Sequence, residues 1–150
     1  MKLAQALAER ADLQKRVAQL RARLLRNARV QEGEEPAEQP EALLAELDGL
    51  IAQLESLVTR INRTNAATED GGETLTALLA RRDCLALKVA AVRDFLDEAS
   101  FLVPRGTVGE IKVRSTVPVA ALQKRADALS KELRELDVRV QSLNWTVELL

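Results

Sequence analysis

The sequence predicts an all-α protein, and three observations carry that expectation. Glycine and proline are scarce, six and four residues in a chain of 150, and most of them fall in a few clusters between long stretches. Inside those stretches apolar residues recur at alternating spacings of three and four, the period of one helix face. The composition, rich in Leu, Ala, Arg and Glu with 30% charged and 2% aromatic residues, is that of long helices or coiled coil. The expected architecture is four long helices in an antiparallel, up-down-up-down bundle with coiled-coil packing. A small β-hairpin is expected between helices 3 and 4. At this length one domain over residues 1–150 is the default.

The first helix is expected over residues 2–29, with a seam at Leu3, Ala6, Leu13, Val17, Leu20 and Leu24. The polar run Gln31-Glu32-Gly33-Glu34-Glu35-Pro36 ends it, because those residues have nothing to bury. Pro40 suits the first position of a second helix, expected over 40–66 and carrying Leu43, Leu47, Leu50, Leu54, Leu57 and Ile61. Glu69-Asp70-Gly71-Gly72 then reads as a turn. The third helix is expected over 75–99. From Cys84 to Val92 only Lys88 is charged, so this stretch is expected to be the most enclosed, with Cys84 a buried, unreactive thiol.

The fourth helix is expected over 117–149, with Thr116 as its cap and Pro118 in its first turn. Its seam is unbroken: Leu122, Ala126, Leu129, Leu133, Leu136, Val140, Leu143, Val147 and Leu150. Before it, β-branched residues flank the turn-forming Pro104-Arg105-Gly106, which predicts a hairpin over about 101–114. A lone two-stranded hairpin is marginal in water, so Ile111 and Val113 should pack on the bundle or on another copy.

Composition excludes several function classes. There is no His, hence no Ser-His-Asp triad and no His ligand for zinc or haem. One Cys cannot form an internal disulfide or a metal cluster. Three aromatic residues and a net charge of -1 argue against nucleic-acid binding. No apolar run approaches the ~18–20 residues of a membrane span, and the N-terminal sequence is charged and amphipathic rather than a signal peptide. No catalytic set, cofactor or metal is expected, and the protein reads as cytoplasmic.

Two groups of residues stand out. Up-down-up-down packing would gather Arg10, Asn62, Asn65, Arg82, Asp83 and Asn144 at one pole. They would serve either as a hydrogen-bonded network fixing register or as a site for a small anion. On the fourth helix, Val138, Ser142, Trp145 and Leu149 form a second stripe on the outer side. An outward Trp calls for a cover, so a homo-oligomer (a dimer or larger) is expected, with this stripe, Ile111 and Val113 as contacts. Charge is also segregated. Residues 1–30 hold eight basic and two acidic side chains, and residues 31–55 hold eight acidic and no basic ones. This is either a basic patch for partners or complementarity across the first helical hairpin.

Several runs are similar to small bacterial proteins labelled septicolysin-like. They are Ala-Asp-Leu-Gln-Lys-Arg at 11–16, Leu-Leu-Arg-Asn-Ala-Arg-Val-Gln-Glu-Gly-Glu at 24–34 and Ile-Asn-Arg-Thr-Asn at 61–65. Arg-Arg-Asp at 81–83, Glu-Ile-Lys at 110–112, Leu-Arg-Glu-Leu-Asp at 133–137 and Leu-Asn-Trp at 143–145 complete the set. The resemblance spans nearly the whole chain and departs from that pattern in the segment before Glu110. It implies a protein of unknown function whose label refers to a haemolysin, and it supplies no catalytic residues. Two functions follow from different classes: a self-associating scaffold or partner-binding module, and a membrane-active protein. A third is an anion binder at the polar pole.

Overall fold

The computed structural model describes residues 1–101 and 111–150. Four helices make up most of them: α1 (Leu3–Arg26), α2 (Pro40–Ala67), α3 (Leu75–Ser100) and α4 (Val119–Thr146). The all-α, four-helix expectation is what the structure shows, with helix ends within three residues of those read from the sequence. One antiparallel pair of two-residue strands, β1 (Glu69–Asp70) and β2 (Glu73–Thr74), lies between α2 and α3. Gly71 and Gly72 turn it with φ of 58° and 82°, the left-handed values that a two-residue hairpin turn requires. The hairpin expected over 101–114 falls mostly on residues outside those described. Its described flanks, Phe101 and residues 111–114, are in neither helix nor strand.

The described residues form two compact units, Met1–Leu75 with Ser142–Leu150, and Thr76–Gln141. In the first, α1 and α2 run antiparallel. Arg23 near the end of α1 reaches back to Glu38, just before α2, and to Glu46 in its second turn. Leu3, Ala6, Leu13 and Leu20 from α1 are buried, as are Leu43, Leu50, Leu57 and Ile61 from α2. Each such Leu removed from water is worth about 1.5–3 kcal/mol before the entropy of ordering is subtracted.

Asn27 closes the hairpin. Its side-chain amide donates to Arg23 O at 2.9 Å, satisfying a terminal helix carbonyl, while its oxygen accepts from Glu38 N at 3.0 Å. Arg23 of the basic first helix thus meets Glu38 and Glu46 of the acidic segment that follows it.

The same unit holds a clasp that sequence reading did not anticipate. Helix α4 ends at Thr146, short of the expected 149. The residues after it run beside the N-terminal residues: Leu3 N donates to Val147 O at 2.9 Å and Leu149 N donates to Met1 O at 2.8 Å. Glu148 pairs with Lys2 Nζ at 2.7 Å and with the N-terminal ammonium at 3.0 Å. Thr64 Oγ1 accepts from Leu150 N at 3.0 Å while donating to Arg60 O, and Arg60 Nε donates to Leu150 O at 2.8 Å.

In the second unit α3 and α4 also run antiparallel, as Arg82 beside Asp137 and Arg93 beside Ser130 establish. Leu78, Leu85, Val89 and Leu96 line the inner side of α3, and Ala126, Leu136 and Val140 are buried on α4. The stretch from Cys84 to Val92 is not the most enclosed part of the chain: Leu87 is 72% exposed and Cys84 is exposed. Within this unit a single helix packs on α3, and one helix covers one stripe of its neighbour.

Candidate functional site

The six polar residues read as one pole do not form a single network. Arg82 and Asp83 are joined in the second unit: Arg82 donates from Nε and Nη2 to Asp83 Oδ1 at 3.2 and 3.1 Å, and Asp137 lies 3.8 Å from Arg82 Nε. Adjacent residues on a helix do not face each other, so this pair depends on the long Arg side chain bending back along the surface. Arg10, Asn62, Asn65 and Asn144 belong to the first unit, and among the described residues no side-chain hydrogen bond or ion pair involves any of them. Asn62 is exposed, Asn65 half-buried and Asn144 buried.

Arg10 is the unusual member. It takes the seam place between Ala6 and Leu13, where every neighbour on that face is apolar, and its Nε is buried without a partner. Burying a guanidinium N–H without an acceptor costs free energy. A satisfied register-fixing network is therefore not what Arg10 makes.

Apolar residues left in water are the other feature. Val138, Ser142 and Trp145 are exposed as the outer stripe predicts, Trp145 at 64%. Leu149 is not part of it. It is buried at 8%, because the helix stops at Thr146 and the clasp turns Leu149 inward. Ile111 and Val113 are both exposed; Val113 lines a shallow groove with Phe95, Glu98 and Phe101.

Sequence reading missed a second row on α3: Ala80, Cys84, Leu87, Ala91 and Phe95, all exposed. The near-absence of charge between Cys84 and Val92 is the signal that could have revealed it. That signal admits two meanings, a buried core or a second face.

Chemistry at these surfaces is spare. A groove of about 520 Å³ in the first unit is lined by Glu9, Gln53, Ser56, Arg60 and apolar neighbours. Among the described residues no three His, Cys, Asp or Glu side chains gather as a metal site. No described helix is long and apolar enough to cross a membrane. Two carboxylates are held below their usual range. A hydrogen bond from Arg23 does this for Glu38, and hydrogen bonds from Lys2 and the N-terminal ammonium do it for Glu148.

Antiparallel helix pairs, a terminal clasp and uncovered apolar rows define an all-α protein built around helix–helix surfaces. The chain belongs to a family of unknown function, DUF6847, whose model matches residues 10–149. It is also similar to a functionally unknown conserved protein from Corynebacterium diphtheriae, known from a crystal structure. The two are 43% identical over all of this chain and 99% of the other, with a TM-score of 0.91. A comparison with curated proteins gives no match. Both matching descriptions state unknown function, and neither carries the septicolysin-like label.

Proposed function

We propose that this protein is a non-enzymatic, self-associating helical module, acting in the cytoplasm as a scaffold or partner-binding unit. The observation that carries this reading is the apolar surface left uncovered on α3 and α4: Leu87, Phe95, Val138 and Trp145 face water while charged residues cover much of the remaining surface. Exposed apolar rows of this kind mark protein contacts. A single exposed thiol suits a reducing compartment. Light scattering across a dilution series tests the reading. A mass above that of one chain at high concentration is expected, and one chain's mass at every concentration would remove it.

Arg10 favours a second reading, the small-anion binder. A guanidinium with a buried, unpaired Nε has capacity left for phosphate or carboxylate. Melting temperature should then rise with added phosphate and should not in Arg10→Met. The haemolysin-like activity implied by the septicolysin resemblance competes with both, and leakage of anionic vesicles is the assay that would bring it forward.

A further inference from the structure

We infer that Arg10 of α1 and Asn144 near the end of α4 form one site in the first unit, and that its ligand is the carboxylate group of a small monocarboxylate. The inference rests on the small-anion reading of Arg10; it adds the second group and the class of anion.

Both side chains are enclosed and unpartnered. Asn144 is 8% exposed, and an amide so placed normally spends its donors and its oxygen on neighbours. It makes no hydrogen bond among the described residues, and neither amide atom is sealed from solvent, so the little surface it keeps includes the amide. Arg10 is half-buried with Nε sealed; its two terminal nitrogens stay reachable and are equally without a partner. Each polar group is thus held in an apolar setting at a cost that the described residues do not offset.

The clasp sets their levels. Leu3 N donates to Val147 O and Lys2 bridges Glu148 in antiparallel fashion, so α1 leaves the clasp on the side from which α4 enters it. At 1.5 Å per residue, Arg10 stands about 10.5 Å beyond Leu3 and Asn144 about 4.5 Å before Val147. Side chains lean toward the N-terminus of their own helix, which carries the long Arg10 side chain back toward the clasp and Asn144 away from it. The difference of about 6 Å therefore closes from both sides.

Charge and shape select the ligand. The residues three and four places from Arg10 on α1 are Ala6, Leu7, Leu13 and Gln14, none acidic; Glu9 and Asp12 are exposed and do not face it. Arg23 beside Glu46 fixes the α1–α2 register and puts Arg10 level with about residue 59, and residues 56–67 of α2 carry Arg60 and Arg63 but no acid. Glu148 is already paired with Lys2. The guanidinium thus has no counter-ion among these residues, and a bound anion supplies one. Its planar fork matches the two oxygens of a carboxylate, and the Asn144 amide adds a further donor to one of them. Phosphate would bring oxygens beyond those two against Ala6, Leu7 and Leu13, whose side chains have no donor to give.

The test is a titration of the isotope-labelled full chain with sodium acetate and, separately, sodium phosphate at constant ionic strength, following the backbone amides of residues 10 and 144 by NMR. A saturable shift with acetate, weakened about tenfold or more in both Arg10→Met and Asn144→Leu, supports the site. Asn144→Asp sets a carboxylate of the chain's own beside Arg10, so it should abolish acetate binding while circular dichroism shows the helical content unchanged. Acetate binding that survives Asn144→Leu and Asn144→Asp overturns the two-group site while the Arg10 reading stands. Phosphate bound more tightly than acetate, through the same residues, overturns the carboxylate assignment alone. No saturable shift with either anion, or binding that survives Arg10→Met, overturns both.

Discussion

The α1–α2 hairpin and the α3–α4 hairpin use the same device to opposite ends. Each lays a three-four seam of Leu, Val and Ala against that of an antiparallel neighbour, and the helices are of nearly equal length. They differ half a turn away from the seam. On α1 the opposite side carries Lys15 and Arg26 among alanines; on α3 it carries Ala80, Cys84, Leu87 and Ala91. The first hairpin is also tied at its turn by Asn27, Arg23 and Glu38. The lesson is that seam spacing decides that two helices pair, whereas the residues opposite the seam decide whether the pair is finished or presents another face.

The comparison can be broken most forcefully at the first seam. Leu20→Ala should lower stability by about 3 kcal/mol in denaturant unfolding, since the side chain is almost wholly buried, whereas the exposed Leu25→Ala should change it by less than about 0.5 kcal/mol. Similar losses in the two variants would mean the seam is misassigned. Next in size is Asn27→Ala, expected to cost about 1–2 kcal/mol because Glu38 N and Arg23 O each lose a partner; the exposed Asn62→Ala is its neutral control.

Arg10→Met should raise stability by about 1 kcal/mol, replacing a buried unpaired N–H with a side chain that suits the seam. A loss instead would show that Arg10 has a partner in solution.

The smallest effect is one of pH. Glu38 is held below the usual carboxylate range chiefly by its hydrogen bond from Arg23, whose own pKa is raised in return. A carboxylate with a depressed folded pKa adds stability above its unfolded value of about 4.3, and that stability is lost as pH falls through the folded value. In Glu38→Gln the acid limb of melting temperature against pH should therefore flatten, with the neutral plateau slightly lower. An unchanged acid limb would show that the pair contributes nothing beyond geometry, as exposed ion pairs often do.

Much of this was legible in the residues themselves. Four helices follow from the seams and from Pro40, Gly33 and Gly71-Gly72, because periodicity and backbone restriction are local properties. Outward placement of Trp145 follows from its heptad position in the same way. What could not be read depends on long-range pairing. Nothing near Leu149 announces that it turns toward Met1, and nothing near Asn27 announces that Glu38 N will need an acceptor. The strand pair at 69–74 hid inside a four-residue signal that reads equally well as a plain turn. Cys84 and Leu87 were misplaced because an apolar helix looks the same in sequence whether its second side is enclosed or open.

The clasp bears on the order in which the molecule is made. Helices α1 and α2 sit next to each other along the chain and can pair as soon as both have left the ribosome, while residues 147–150 are synthesised many seconds later at about 5–20 residues per second. Until then the N-terminal residues that meet them have unmatched backbone groups. Closing so long a loop carries a larger entropic cost than closing the first hairpin, so the clasp should be the last contact to form and the first to open. In native-state hydrogen exchange the amides of Leu3 and Leu149 would then exchange ahead of those at the centre of α1 and α2, so that the seam between distant parts of the chain is also its point of entry for a protease.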